Sequence, residues 1–357
     1  MCFRAGNYLA VPNSPPRFNI VLHVASEKYY ADVMSEEAVA SWHFESQAAT
    51  WEGYRGVSFA EPQLLGRNIT ELRFRHHGFE VPALGFGTCY LKGMDLYDSA
   101  LAALRAGYRL IDTAAAYDNE DAVGAAIDAS GINRQELFIT SKSWPLGRDY
   151  VISNVRRTLE NLGTDYIDLY LLHSPFVAEA TGENNSTIRT TRHETWRAME
   201  ELHKQGILRN LGVANFGINQ LRALRAVAKV QPILNQIEFH AYHQDNELIR
   251  YCWKHDITVQ VYGSVGAGIV HSSSGVRPID DPVVAAIAQK HRVSPPQVLL
   301  RFALQRRVAS ITKASSESRM AQNLDVLSFS LHAQDLRELM ALDRRQPLYP
   351  THYPHYP

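Results

Sequence analysis

The sequence predicts a closed (β/α)8 barrel, the TIM-barrel form of the α/β class, and three observations carry that prediction. From Glu71 onward, short apolar segments rich in β-branched residues alternate with amphipathic helical segments. The apolar segments are near-continuous, the pattern of parallel strands covered on both faces. Several of them close in a polar or ionisable residue, and barrel chemistry sits at the C-terminal ends of the strands.

The rhythm opens with ELRFRHHGFEV, a hairpin turning near residues 77–78 and placed over the barrel bottom. Strands follow at 83–88 (ALGFGT), 109–114 (RLIDTA), 137–144 (LFITSKSW), 166–173 (YIDLYLLH), 209–216 (RNLGVANF), 233–239 (ILNQIEF), 258–265 (TVQVYGSV) and 309–315 (ASITKAS). Helices fall between them, among them 95–106, 122–129, 151–162, 195–205 and 246–255. The stretch 282–306 holds two helical pieces, broken around 293–296.

Residues 1–70 behave differently. They carry scattered aromatics, Pro12, Pro15, Pro16 and Pro62, and no sustained period, so an irregular, partly disordered extension is expected. One helix over 35–51 is consistent with Glu36 and Glu37 near its start. The chain therefore divides into an extension (1–70), a barrel (71–343) and an aromatic, proline-rich tail (344–357) expected to drape over the surface.

Composition removes several function classes. In 357 residues, 45% are hydrophobic and 20% charged, with a formal net charge of −1, which gives no electrostatic argument for nucleic acid or an anionic membrane. No apolar run approaches the roughly 18 residues of a membrane span. Cys2, Cys89 and Cys252 lack metal-type spacing and build no disulfide framework, which suits a reducing, cytoplasmic compartment. The sequons at Asn68 and Asn184 are read as chance tripeptides, and the pair His76-His77 before Gly78 as a hairpin tip, so no metal is expected. No G-x-G-x-x-G stands between a strand and a helix; GSVGAG at 263–268 reads as a flexible loop instead.

Four residues at or just beyond strand ends carry the chemistry: Asp112 and Tyr117 in LIDTAAAYDNE, Lys142 in FITSKSW and His173 in DLYLLHSP. Each has a plain reading alone: Asp112 and Lys142 as a barrel ion pair, Tyr117 as a half-buried tyrosine, His173 as a core histidine. Together they suggest a proton donor. A tyrosine with a pKa of about 10 would protonate a carbonyl oxygen near neutrality if an adjacent ammonium lowered that value. An aspartate would keep the lysine charged and aimed, and a histidine would orient the carbonyl.

These strings, with GFGT at the first barrel strand, GVANF at the fifth, the Gln236 strand and ITKASSESRMAQN near the end, resemble the aldo-keto reductases, NADP-dependent barrel oxidoreductases. The resemblance covers about three-quarters of the chain. It implies an aldehyde or ketone substrate, NADPH as hydride donor, Tyr117 as proton donor, Lys142 and Asp112 as its supports and His173 as the carbonyl-orienting residue. It also implies that Asn215 and Gln236 hold the cofactor's carboxamide and that Tyr262 stacks on its nicotinamide. Lys313, Ser316 and Arg319 would grip the 2′-phosphate, with Ser315 beside them at a helix N-terminus, and Asn323 would meet the adenine. Thr88, Gly263 and Val265 complete the expected cofactor contacts; Cys89, Tyr90, Trp144 and Phe176 are the expected pocket walls, with His173.

Departures from the family pattern concentrate around the cofactor. Ala214 replaces a serine, Thr312-Lys313-Ala314 replaces Pro-Lys-Ser, Gln322 replaces a glutamate and Gly263-Ser264 replaces Ser-Pro. Cys89 and Ser174 stand where tryptophans are common, which would widen the substrate pocket. A rival reading keeps the barrel and the cofactor but makes the protein a regulatory or scaffolding subunit; another makes it a ketoreductase dedicated to one biosynthetic step. The oligomeric state stays open between a monomer and a weak homodimer.

Overall fold

A computed structural model of the chain describes residues 68–76, 78–176, 186–266 and 277–348. The helix expected at 35–51, the loop 177–185, residues 267–268 of the glycine-rich loop and the tail beyond Leu348 lie outside the described residues.

The hairpin forms as the sequence suggests. β1 (Arg73–His76) pairs antiparallel with β2 (Phe79–Pro82), His76 opposite Phe79. Gly78 adopts φ +84° in the turn, a left-handed conformation that glycine reaches without a Cβ penalty.

Eight parallel strands then close on themselves: β3 (Leu84–Gly87), β4 (Leu110–Asp112), β5 (Phe138–Ser143), β6 (Leu169–Leu172), β7 (Leu211–Ala214), β8 (Leu234–Glu238), β9 (Thr258–Tyr262) and β10 (Ala309–Thr312). Each pairs with its sequence neighbour, and β10 closes the ring by pairing with both β9 and β3. Each strand lies inside the segment expected for it. Only Phe138 and Tyr262 among the barrel-strand residues are less than fully buried, which explains the unbroken apolar runs.

Alternation along the strands sorts their side chains into two cores. Leu110, Leu169, Leu171, Ala214, Leu234, Ala309 and Ile311 fill the lower barrel interior together with Phe79 and Val81 of the hairpin. The hairpin thus plugs the N-terminal end of the barrel, with Phe79 edge-on to Phe138 at 6.2 Å. Fully burying a side chain of this size stabilises by about 1.5–3 kcal/mol. Gly85 allows the layers to interdigitate, since a Cβ there would stand 2.3 Å from Leu110 Cδ2 and 2.6 Å from Ile311 Cδ1. Two residues beyond Leu110 and Leu234, the same inward alternation delivers Asp112 and Gln236 to the upper layer.

The outward residues pack beneath helices α1 (Gly93–Ala106), α2 (Glu120–Ser130), α3 (Arg148–Leu162), α4 (Ser186–Lys204), α5 (Ile218–Arg225), α6 (Asn246–Lys254), α7 (Pro282–His291), α8 (Pro295–Gln305), α9 (Glu317–Leu324) and α10 (Ala333–Met340). The expected break around 293–296 has a local cause. Arg292 leaves α7 in a left-handed conformation (φ +57°), and a Ser294–Gln297 capping box with Pro295 at the first helical position starts α8. Helix α4 begins at Ser186 rather than 195, because its first turns are polar and the apolar face starts only at Thr195 and Trp196.

After α10 the chain returns to the barrel. The amides of Arg344 and Gln346 both donate to the Tyr242 carbonyl at 3.0 Å, and that of Leu348 donates to Glu238 Oε1 at 2.5 Å, at the end of β8. Among the described residues, no helix is long and apolar enough to cross a membrane.

Candidate active site

Asp112 ends β4, Lys142 lies in the upper half of β5, Tyr117 sits on the 3-10 turn Ala115–Tyr117 after β4, and His173 follows β6. The structure brings all four together. Lys142 Nζ donates to Asp112 Oδ1 at 2.6 Å and to the Thr113 carbonyl at 2.9 Å, and reaches the Tyr117 hydroxyl at 3.5 Å. The lysine and aspartate side chains are 1% and 6% exposed, so each charge depends on the other for compensation.

The electrostatics differ from the sequence expectation in one respect. Burial pushes the Tyr117 hydroxyl well above the ordinary tyrosine value, and the Asp112 carboxylate pushes it further. The ammonium of Lys142 is directed first at Asp112 and Thr113, and its longer contact to Tyr117 does not offset desolvation. Burial thus favours the neutral phenol at Tyr117, with a cation 3.5 Å from its oxygen.

Asp112 is held from its other side too. Gln236 Nε2 donates to Asp112 Oδ2 at 2.7 Å and to Gln260 Oε1 at 2.8 Å. Asn215, in a left-handed conformation at φ +62°, donates from Nδ2 to the His173 carbonyl at 2.9 Å and accepts from the Tyr262 hydroxyl at 2.8 Å. The two amides expected to hold a carboxamide are thus engaged in bracing Asp112 and the His173 backbone. The His173 ring is fixed by Trp144 stacked on it at 4.6 Å and meets the Tyr117 ring edge-on at 5.6 Å.

Around this centre lie the other expected residues. The Cys89 thiol lies beside the Tyr117 hydroxyl, and burial pushes the thiol itself up. Tyr90 is exposed at φ +65°, with Lys313 Nζ 5.7 Å above its ring and 3.3 Å from the Cys89 carbonyl. Thr88 is buried and donates to the Asp112 carbonyl at 3.1 Å. Phe176 is buried and its amide donates to Ser174 Oγ at 3.2 Å, so Ser174 braces a turn. Gly263 (φ +75°) accepts from the Gly266 amide in a turn after β9, and Val265 packs on the core beside it.

Lys313, Ser315, Ser316 and Arg319 are all exposed at the start of α9, with Ser316 as N-cap accepting from the Arg319 amide at 3.4 Å. Exposed cations beside free-facing helix-start amides fit a phosphate group. Asn323, by contrast, is buried, beside the Tyr108 hydroxyl.

Several contributors escape a sequence reading. Asn119 accepts from Thr113 Oγ1 at 3.1 Å and donates to the carbonyls of Thr88 and Leu91 at 3.1 and 2.9 Å, locking the loops after β3 and β4 together. Gln260 shares the Gln236 amide. The only sequence signal for either was a polar residue beside an apolar run, which many loop residues share.

A closed eight-stranded barrel with a buried lysine–aspartate pair beside a tyrosine and a histidine at its C-terminal mouth is an oxidoreductase-type arrangement. The chain belongs to the aldo/keto reductase family, whose model matches residues 83–344. It is 37% identical over 279 residues to the glyoxal reductase of Bacillus subtilis, covering 77% of this chain and 94% of that protein. It is 32% identical over 286 residues to the NADP-dependent D-sorbitol-6-phosphate dehydrogenase of Malus domestica, covering 75% and 92%. Among solved structures, an aldo/keto reductase from Brucella melitensis matches with a TM-score of 0.69 at 33% identity, over 78% of this chain and 100% of that one. The protein is an oxidoreductase of this family, and carbonyl reduction is its chemistry.

Proposed function

We propose that the protein reduces an aldehyde or ketone to an alcohol with NADPH, and that Tyr117 is the proton donor. The observation that carries this reading is Lys142, anchored 2.6 Å from Asp112 while its ammonium stands 3.5 Å from the Tyr117 hydroxyl. Burial keeps Tyr117 protonated, so the acid is loaded across the physiological range. When it gives its proton to a developing alkoxide, the phenolate left behind gains the nearby ammonium as a counter-charge. A positioned acid typically contributes roughly 10²–10⁴-fold. His173, held by the Trp144 stack, supplies the second donor that aims the carbonyl oxygen.

NADPH supplies the hydride when bound. Lys313, Ser315, Ser316 and Arg319 would hold its 2′-phosphate, Tyr262 would support the nicotinamide face, and Asn215 and Gln236 would meet the carboxamide. Thr88, Gly263 and Val265 border the same region, and Asn323 lies behind the adenine position. The name of the Malus domestica relative, an NADP-dependent enzyme, supports this choice of cofactor. Cytoplasmic residence belongs to the same reading and is supported by Cys89 and Cys252, both free thiols.

The test is NADPH oxidation, followed by absorbance, with a panel of glyoxal, longer aldehydes and ketones, and with NADH in parallel. Turnover with at least one carbonyl and a preference for NADPH is the expected result. Tight NADPH binding without turnover on any of them would instead favour a cofactor-binding regulatory barrel.

A further inference from the structure

On the outer helix layer, three potential metal ligands converge that the carbonyl chemistry does not use. His291 is the last residue of α7, His332 immediately precedes α10, and Asp335 lies in its first turn. We propose that these three side chains form a binding site for a divalent transition-metal cation of the zinc type. One donor atom from each lies within 4.8 Å of the others.

The shared focus is Asp335 Oδ2. His291 Nε2 stands 2.7 Å from it and His332 Nδ1 stands 3.6 Å from it, with the two imidazole centroids 5.0 Å apart. Tetrahedral ligation with bonds of about 2.0–2.2 Å spaces ligand atoms about 3.3 Å apart. The two observed distances straddle that value, so ligation asks the His291–Asp335 pair to part by a few tenths of an ångström and the exposed His332 to rotate inward. Two nitrogens and one carboxylate oxygen suit zinc, copper or nickel better than the all-oxygen sets of magnesium or calcium.

The surroundings support a built site. Asp335 and His291 side chains are 2% and 9% exposed, whereas His332 is 67% exposed and leaves one side open to water as a fourth ligand. Asp335 is further held by the His332 amide, which donates to Oδ2 at 2.8 Å, and by Lys290 Nζ on Oδ1 at 2.7 Å. A donor on the non-ligating carboxylate oxygen orients the ligand, as outer-shell partners do in metal sites. Lys290 also sets a limit, because its charge opposes that of the cation. Occupancy would tie α7 to α10, the helix that precedes the strap returning to β8.

The experiment uses the full-length, tag-free, chelator-treated protein, titrated with zinc chloride by calorimetry and followed by thermal denaturation. One equivalent should bind and raise Tm, and magnesium chloride at the same concentration should do neither. His332→Ala, at an exposed position, should weaken zinc binding by at least roughly 10-fold, the lower bound for disturbing a metal site. Asp335→Asn keeps a cap oxygen for the His332 amide and should weaken it as well, while Lys290→Met should tighten it. NADPH-dependent turnover without zinc should be the same in wild type and His332→Ala, which separates this site from the carbonyl chemistry. Absence of a stoichiometric zinc site, binding that survives His332→Ala, or equal binding of magnesium would overturn the proposal.

Discussion

Gln236 donates at 2.7 Å to the one oxygen of Asp112 that Lys142 leaves unused, so a strand on the far part of the barrel fixes the orientation of the buried carboxylate. The barrel thereby couples β8 to β4 and β5 through a single buried side chain. Gln236→Leu preserves the bulk but leaves Asp112 Oδ2 without that donor. The unfolding midpoint in urea should fall by the equivalent of about 1–3 kcal/mol, the cost of an unsatisfied buried acceptor. An unchanged midpoint would show that Asp112 does not need the bond.

The buried pair makes its own prediction. Lys142→Met leaves the Asp112 charge uncompensated at 6% exposure and should destabilise by about 3–5 kcal/mol. Combining it with Asp112→Asn should recover much of that loss, because no lone charge is then buried. Additive losses in urea unfolding would mean the two residues are energetically independent.

The pH dependence follows from the raised Tyr117 value. A group whose folded pKa is raised keeps its proton below that pKa and loses it only as pH climbs through it. The stability contribution has the same sign, being present below the unfolded value of about 10 and lost above it. Reduction, measured as kcat/KM for one aldehyde, should be flat between about pH 6 and 9 and decline only on the alkaline side. A descending limb near neutrality would mean that Lys142 acidifies the phenol after all.

Cofactor discrimination is a separate expectation. Lys313→Ala or Arg319→Ala removes an exposed cation at the start of α9. Each should raise the KM for NADPH by roughly 10- to 100-fold, as expected for losing a hydrogen bond to a charged group. The KM for NADH should barely move. Equal losses with both cofactors would place the 2′-phosphate elsewhere.

Much of this was legible before any coordinates. Strands buried on both faces leave unbroken apolar runs, and a charged residue closing such a run, as Asp112 does, is conspicuous. The helix start at Ser186 was hidden by polar first turns such as Arg189 and Thr190, and α10 by its brevity. Asn119, which locks two loops, looks like any loop asparagine until its partners are known. The direction of the Tyr117 shift was also hidden. Sequence places a lysine and an aspartate near the phenol, but only distances and burial decide which of them prevails. His291 and Asp335 are distant in sequence and share no motif, so their meeting is purely a product of packing.

The most direct test of the account is Tyr117→Phe, compared with wild type for NADPH binding by fluorescence and for steady-state reduction of the best aldehyde. With the hydroxyl in its proposed role of proton source, turnover should fall by at least roughly 10²-fold while the NADPH Kd stays within experimental error. Reduction at near wild-type rates by the phenylalanine variant would contradict the assignment.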